Sequence, residues 1–347
     1  MLVPEPKHSQ YSPRKGRVCV ASASGPGNPG TLSALVAVEL PEPWRQRLPS
    51  AFPDVRFYFA DDAASTVTAS AVADVALVRS LPREAVAQAT RLRWVQAATA
   101  GVSHLLYSEF RDREVLLTNT LPHGVPMAEN VLAMMFAFAC RLPLLIEARP
   151  FHRLVAMRVV AEKFELAGQT LVVLGTGDVG GQLATKASAL GMHVIGLRRR
   201  PEIAVPGADR VVGVDRLREV LGQADHVAVA LPLTQGTREF IGRREIAWMR
   251  RGAYLYNVGG GPTVDRAALL EALDAGYLAG AGLDVTDPDP PLPDDPLWDL
   301  PNVILTQHTS EASPRNGERI AEQFASNLRR YLRGEPLLNV VDLTLGF

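Results

Sequence analysis

Residues 170–200 read TLVVLGTGDVGGQLATKASALGMHVIGLRRR. The apolar run Leu171–Leu174 is strand-like and ends in Gly175-Thr176-Gly177-Asp178-Val179-Gly180, a G-x-G-x-x-G pattern. In such a pattern the glycines allow a tight turn, close backbone approach to a pyrophosphate, and close packing of helix on strand. The helix that follows turns its unpaired N–H groups and positive dipole end toward bound phosphate. A second strand, His193–Leu197, follows at the right distance. The stretch therefore predicts a dinucleotide-binding unit, with Gly175, Gly177, Asp178, Val179 and Gly180 at the cofactor.

The second strand runs into Arg198-Arg199-Arg200. An NAD-binding chain normally places Asp or Glu there, about 20 residues on, to accept from the ribose 2′-OH. A carboxylate repels a 2′-phosphate, whereas guanidinium groups bind it through charge-assisted, often bidentate, hydrogen bonds. Arg198 and Arg199 thus predict NADP(H) ahead of NAD(H). The competing reading is a solvated basic loop tip with no ligand.

The whole chain sets wider bounds. Its 347 residues suffice for two domains, each with its own core. A formal charge of −1 gives no electrostatic case for nucleic acid or a membrane surface. Two cysteines, Cys19 and Cys140, make no disulfide framework and suit a reducing cytoplasm. The apolar helix around Val131–Cys140 is interrupted by Arg141 and Pro143, too short to span a bilayer. Residues 1–31 are rich in Pro, Gly and Ser and lack the apolar core of a secretory signal, so a flexible extension is expected, with a short strand within Arg17–Ala21. No metal is expected.

From residue 32 strand-like and helix-like runs alternate. Strands are expected at Leu35–Leu40, Val55–Phe59, Val75–Val78, Trp94–Ala97 and Val115–Thr118, with helices such as Glu42–Ala51 and Arg83–Ala89 between them. One long apolar helix is expected over Pro126–Ala148, followed by a polar, irregular stretch. Strands then recur at Leu171–Leu174, His193–Leu197, Arg210–Val212, His226–Ala230, Tyr254–Val258, Ala279–Asp284 and Val303–Thr306. This is the pattern of a parallel sheet covered on both faces. A last helix, Asn316–Arg333, carries Ile320, Phe324, Leu328 and Leu332 at helical spacing and is expected to pack back on the first domain. The fold class is α/β, with a discontinuous first domain over 32–121 and 309–347 and a dinucleotide-binding domain over 122–308.

Further motifs follow the glycine loop in order: Leu231-Pro232-Leu233-Thr234, the glycine-rich exit Asn257-Val258-Gly259-Gly260-Gly261, Gly280–Val285 with Asp289-Pro290, and Thr306-Gln307-His308. Upstream lie RWVQAATAGVSHL (Arg93–Leu105) and NTLPHGVPMAENVLAMMFAFACR (Asn119–Arg141), with its Ala128-Glu129 pair. In order and spacing the chain resembles the D-isomer-specific 2-hydroxyacid dehydrogenase family, which includes glyoxylate/hydroxypyruvate reductases and phosphoglycerate dehydrogenases, over roughly residues 35–340.

The resemblance implies two Rossmann-like domains, the substrate domain flavodoxin-like and the other NAD(P)-binding, with a cleft between them. It implies a reductase of a small 2-keto acid, glyoxylate- or hydroxypyruvate-like, and a homodimer to which the Met134-Met135-Phe136 helix contributes. His308 takes the place of the family's general acid/base, and an imidazole suits that proton transfer near neutrality. Asp289 takes the place of the family's Glu, one methylene shorter, with Asp287 the weaker alternative. Asp284 is implied at the nicotinamide carboxamide, Leu231, Pro232, Thr234 and Val258 along the cofactor, and Ala100, Gly101 and Val102 at the substrate carboxylate. The family's third catalytic side chain, an Arg that grips the carboxylate and polarises the carbonyl, falls on Gly260. Loss of such a donor typically costs on the order of 10²–10³ in rate. Three accounts stay open: Arg79 or Arg266 supplies the charge, backbone N–H groups near Gly101 hold an unusual substrate, or the protein binds dinucleotide with weak or no turnover.

Overall fold

The computed structural model describes residues 19–21 and 31–343. Apart from its short strand, the expected N-terminal extension lies outside the described residues. The described residues form two compact units, one up to residue 122 together with those from 314 onward, and one of residues 123–313.

In the first unit β1 (Cys19–Ala21) pairs antiparallel with the edge of an otherwise parallel sheet. The parallel strands are β2 (Leu32–Ala37), β3 (Val55–Phe59), β4 (Val75–Val78), β5 (Trp94–Ala97) and β6 (Leu116–Thr118). Their order, β3-β2-β4-β5-β6, is the 2-1-3-4-5 order of flavodoxin-like sheets. Helices α1 (Glu42–Ala51), α2 (Ala63–Ser70), α3 (Arg83–Gln88) and α4 (Ser108–Asp112) connect them. Every residue of β4 and β5 is buried, as a strand covered on both faces requires.

The second unit carries helices α5 (Gly124–Ala139), α6 (Leu142–Ala148) and α7 (Ala156–Glu162) before its sheet. The sheet comprises β7 (Thr170–Leu174), β8 (His193–Leu197), β9 (Arg210–Val212), β10 (His226–Val229), β11 (Tyr254–Asn257), β12 (Gly280–Leu283) and β13 (Val303–Leu305). Helices α8 (Asp178–Ala189), α9 (Leu217–Leu221), α10 (Arg243–Trp248) and α11 (Arg266–Asp274) complete the unit. All seven strands are parallel in the order β13-β12-β11-β10-β7-β8-β9. The order reverses between β7 and β10, the switch point at which ligands bind beyond the strands' C-terminal ends in open α/β sheets. The loop after β7, Gly175–Gly177, leaves the sheet at that point.

The last helix, α12 (Asn316–Leu332), buries Ile320, Ala321, Phe324, Ala325 and Leu328 in the core of the first unit. Phe324 and Tyr331 each stack on Trp94 at 5.5 Å between centroids. The same face carries Asn327, whose amide bonds Gln96 Oε1 at 3.0 Å. Leu332, expected on this face, is instead exposed in the final turn. The helix expected over Pro126–Ala148 is likewise two helices, bent by 66°. Arg141 takes a left-handed φ of 55° between them, and Pro143 cannot extend the hydrogen-bond ladder of the first. The expected irregular stretch contains α7, and the first parallel strand starts at Leu32, where Ser33 N–H finds Asp74 Oδ2 at 2.8 Å. Among the described residues no single helix is long and apolar enough to cross a membrane.

One buried titratable group lies away from the strand exits. His226 on β10 is fully buried, stacked on Tyr254 and Tyr256. Its ring nitrogens face Tyr256 Oη at 3.1 Å and Gln169 Oε1 at 2.5 Å. Burial lowers its pKa from 6.5 to about 4, against a smaller opposing pull from Asp225. The unfolded chain therefore binds a proton below pH 6.5 that the folded protein refuses until about pH 4. Stability is unaffected by this group above pH 6.5 and is lost as pH falls through that window, by up to about 3 kcal/mol. Urea unfolding at stepped pH checks this: His226→Asn should flatten the difference between the two limits, and an unchanged slope would contradict it.

Candidate active site

The functional side chains lie where the strands of the second sheet end, and the exits are tied to one another. A Cβ on Gly175, which has a left-handed φ of 91°, would sit 2.7 Å from Ala230 O after β10. Gly260 N–H donates to Leu231 O at 3.0 Å, Asp284 N–H to Asn257 O at 3.0 Å, and Thr306 N–H to Leu283 O at 3.0 Å. The last tie is from His308 N–H to Asp284 O at 2.6 Å.

At the far end of this series His308 Nδ1 lies 2.6 Å from Asp289 Oδ2. A carboxylate can only accept, so Nδ1 carries the hydrogen of this bond, which leaves Nε2 free of it. The His308 side chain is 56% exposed and Asp289 27%. Asp287 takes no part in this pair; its carboxylate lies 3.9 Å from Arg238. Gln307 and His308 both hold left-handed φ values, 54° and 56°. Residues with a Cβ adopt that conformation only where their surroundings impose it, and such strain gathers at functional sites.

The glycine loop has the form of an anion cradle. Helix α8 starts at Asp178 with Gly177 as its N-cap, and among the described residues no side chain caps it. Its first N–H groups thus lack helical partners. A Cβ on Gly177 would meet nothing within 4 Å, whereas one on Gly180 would lie 2.0 Å from Gly175 O. Gly180 is needed for packing, and Gly177 borders open space. Between them Thr176 Oγ1 is buried with no hydrogen-bond partner, an orphan polar atom inside the cradle. Asp178 turns its carboxylate toward Gly124, the first residue of α5. Arg198 is half-buried and Arg199 exposed at the end of β8; among the described residues no carboxylate pairs with Arg198. Pro232 and Thr234 are exposed, Leu231 is half-buried, and Val258 is buried in the core beneath them.

The residues match a known sequence family. The family described as D-isomer specific 2-hydroxyacid dehydrogenase, NAD binding domain, covers residues 132–310. The chain is 34% identical over 265 residues to a glyoxylate reductase of Korarchaeum cryptofilum, spanning 73% of this chain and 77% of that protein. The chain belongs to the D-isomer specific 2-hydroxyacid dehydrogenase family. It is also 34% identical to a D-3-phosphoglycerate dehydrogenase of Methanocaldococcus jannaschii, of which it spans about half the length, 52%. A solved D-isomer specific 2-hydroxyacid dehydrogenase of Xanthobacter autotrophicus Py2, in complex with NADPH and MES, superposes with a TM-score of 0.74 at 30% identity, over 92% of this chain and all of that one. An NADPH-dependent glyoxylate/hydroxypyruvate reductase of Sinorhizobium meliloti, in complex with NADP and sulfate, gives 0.74 at 26% identity, over 91% and 100%.

Within this family frame the chain fits a nicotinamide dinucleotide: the open side of Gly177, the orphan Thr176 hydroxyl and the uncapped start of α8 are the groups that would hold it. Gly260, the position at which the resemblance implies an Arg, lies in a tightly packed run of glycines. A Cβ there would lie 2.6 Å from Leu233 Cβ, one on Gly259 2.3 Å from Leu231 O, and one on Gly261 1.8 Å from Thr286 O. The loops after β10 and β12 have closed onto three glycines. Of the alternative cations, Arg266 is committed to Asp295 at 2.7 Å. Arg79 is exposed just past β4, at the switch point of the first sheet, and among the described residues no carboxylate pairs with it. The N–H groups of Ala100, Gly101 and Val102 find no acceptor among the described residues, and a Cβ on Gly101 would meet nothing within 4 Å.

Sequence reading missed three members of this site. Thr176 was hidden because its position in the glycine pattern is unconstrained, and Thr306 and Ser310 because their partner, the Asp284 carboxylate, is distant in sequence. The contrast between two glycines is testable. Gly177→Ala should leave the melting temperature unchanged and weaken NADPH binding tenfold or more (about 1.4 kcal/mol). Gly180→Ala should lower both. Equal stability loss in the two variants would contradict the cradle geometry.

Proposed function

We propose that the protein is an NADP(H)-preferring reductase of a small 2-keto acid of the glyoxylate or hydroxypyruvate kind, with NAD(H) the poorer cofactor. The observation that carries this reading is the 2.6 Å bond between His308 and Asp289, set on the same sheet edge as the glycine cradle. The unit of residues 123–313 holds the dinucleotide, and the other unit binds the substrate. A bound reduced nicotinamide supplies the hydride. His308 Nε2 gives the substrate oxygen its proton in reduction and takes it back in oxidation. Asp289 keeps the ring in the Nδ1–H tautomer and stabilises the imidazolium.

The substrate carboxylate is held by the unengaged N–H groups of Ala100, Gly101 and Val102, and Arg79 supplies the charge that Gly260 lacks. Arg198 and Arg199 bind the 2′-phosphate. The NADPH-bound and NADP-bound relatives favour this cofactor. A second reading, a dinucleotide-binding protein without useful turnover, rests on Gly260; the retained His308–Asp289 pair favours the enzyme.

A homodimer completes the proposal, with a corrected contact surface. Met134 and Met135 are buried within their own unit, and of the three only Phe136 is exposed. Large apolar side chains are bared instead along α6, α7 and the segment between them: Ile146, Phe151, Met157, Val160 and Leu154, the last 96% exposed. Contiguous exposed apolar side chains of this kind mark an interaction surface, and a second copy of the chain is the occupant proposed. Sedimentation should give a dimer for the wild type and a monomer for Leu154→Glu with Met157→Glu; a wild-type monomer at micromolar concentration would defeat it.

Steady-state NADPH oxidation with a panel of 2-keto acids tests the catalytic reading. We expect turnover with glyoxylate or hydroxypyruvate, and a fall in kcat of about 10²–10⁴ in His308→Gln. Arg79→Ala should raise KM for the keto acid roughly tenfold, the scale of one charge-assisted hydrogen bond. Arg198→Asp with Arg199→Ala should weaken NADPH binding far more than NADH binding. Absence of turnover in the wild type, alongside micromolar NADPH binding, would leave a dinucleotide binder and defeat the enzyme reading.

A further inference from the structure

The loop that follows β12 carries Asp289 with little of its own to hold it in place. Residues 287–290 and 292–294 are exposed. Pro288, Pro290, Pro291 and Pro293 have no N–H to give. The N–H groups that remain, of Asp287, Asp289, Leu292 and Asp294, find no main-chain acceptor among the described residues. Such a loop takes its course from its two ends. At the near end Thr286 is buried, and its hydroxyl donates to Pro288 O at 2.6 Å.

At the far end stands Asp295, its side chain 2% exposed. Its Oδ1 accepts Leu297 N–H at 3.0 Å, and its own N–H donates to Leu292 O at 3.0 Å. Its Oδ2 lies 2.7 Å from Arg266 Nη2. Arg266 opens α11, whose Ala268, Leu269, Ala272 and Leu273 are buried in the core. The ion pair therefore ties the loop to a packed helix. Net stability is a poor account of it. Desolvation offsets the attraction in a buried pair, and here Arg266 Nε is also buried without a hydrogen-bond partner. What such a pair can supply is one fixed arrangement of the segments that bear it.

We infer that Arg266 and Asp295 are positioning residues, whose buried pair anchors the far end of the loop and so holds the Asp289 carboxylate on the His308 imidazole. Arg266 acts through Asp295 and not on the substrate. The inference rests on the reading of His308 as the proton donor, but its test has a readout that does not need turnover.

The experiment uses the full chain with NADPH. The wild type is compared with Asp295→Asn, Arg266→Gln, and the double variant Arg266→Met with Asp295→Ala, which leaves no buried charge unpaired. Three quantities are measured: the NADPH dissociation constant, kcat and KM for glyoxylate, and the ¹⁵N shifts of the His308 ring, assigned by their loss in His308→Gln. In all three variants the ring should pass from a single Nδ1–H tautomer to a tautomer mixture, as in Asp289→Asn. With this, kcat falls by about 10- to 100-fold, while KM changes little and NADPH affinity stays within about threefold of wild type. The double variant should be no worse than either single one, as two residues acting as a unit require. Lost stability with unchanged ring shifts and kcat would make the pair merely structural and overturn the inference. A rise in KM of about tenfold or more in Arg266→Gln alone, with unchanged ring shifts, would make Arg266 a substrate ligand and overturn it too. If the single variants do not fold, unchanged shifts and kcat in the double variant would overturn it equally. A wild type that shows the single tautomer, loses it in the double variant, and turns over nothing would sustain the anchor and defeat the reductase reading alone.

Discussion

A parallel sheet discharges all its strands on one edge, and in the unit of residues 123–313 the exits of β10, β11, β12 and β13 are joined by main-chain hydrogen bonds. Main-chain bonds pass from Leu231 to Gly260, from Asn257 to Asp284 and from Asp284 to His308. No strand end is therefore positioned alone. The glycine loop at one end and the His308–Asp289 pair at the other are linked because the intervening loops are in main-chain contact. Buried strands such as β7, β10 and β11 supply a rigid base, since their residues are buried or nearly so along their whole length.

The same closeness gives Gly260 its meaning. By resemblance to the family an Arg is expected where Gly260 stands, which invites a simple account of a missing donor. The structure adds that the space at the root of that side chain is taken by Leu233, and that Gly259 and Gly261 are pressed as tightly by Leu231 and Thr286. The glycine run is thus a seam between loops. Arg266 is held by Asp295.

Much of this was legible in the sequence where local pattern and chemistry coincide. The β7–α8–β8 unit follows from an apolar run, three glycines and a second apolar run, because only a strand, a tight turn and a helix satisfy that order. His308 and Asp289 were legible through the spacing of motifs, and the structure sets them within hydrogen-bonding distance. The bend at Arg141 was not, since the interruption by Arg141 and Pro143 shows in the letters but the left-handed turn that restarts the helix does not. Nor was the employment of Asp284, whose donors lie more than twenty residues downstream and carry no periodic signal. Leu332 is exposed, because helical spacing tells which side of the helix a residue is on and not whether anything covers it there.

In the proposed function this edge carries a hydride transfer coupled to protonation by His308. Its most direct test is a single turnover with NADPH deuterated at C4 and a small 2-keto acid, followed by mass spectrometry of the product. The expected product is a 2-hydroxy acid with one deuterium at C2, formed by the wild type and not by His308→Gln on the same timescale. A product without deuterium, or equal formation by the His308 variant, would contradict it.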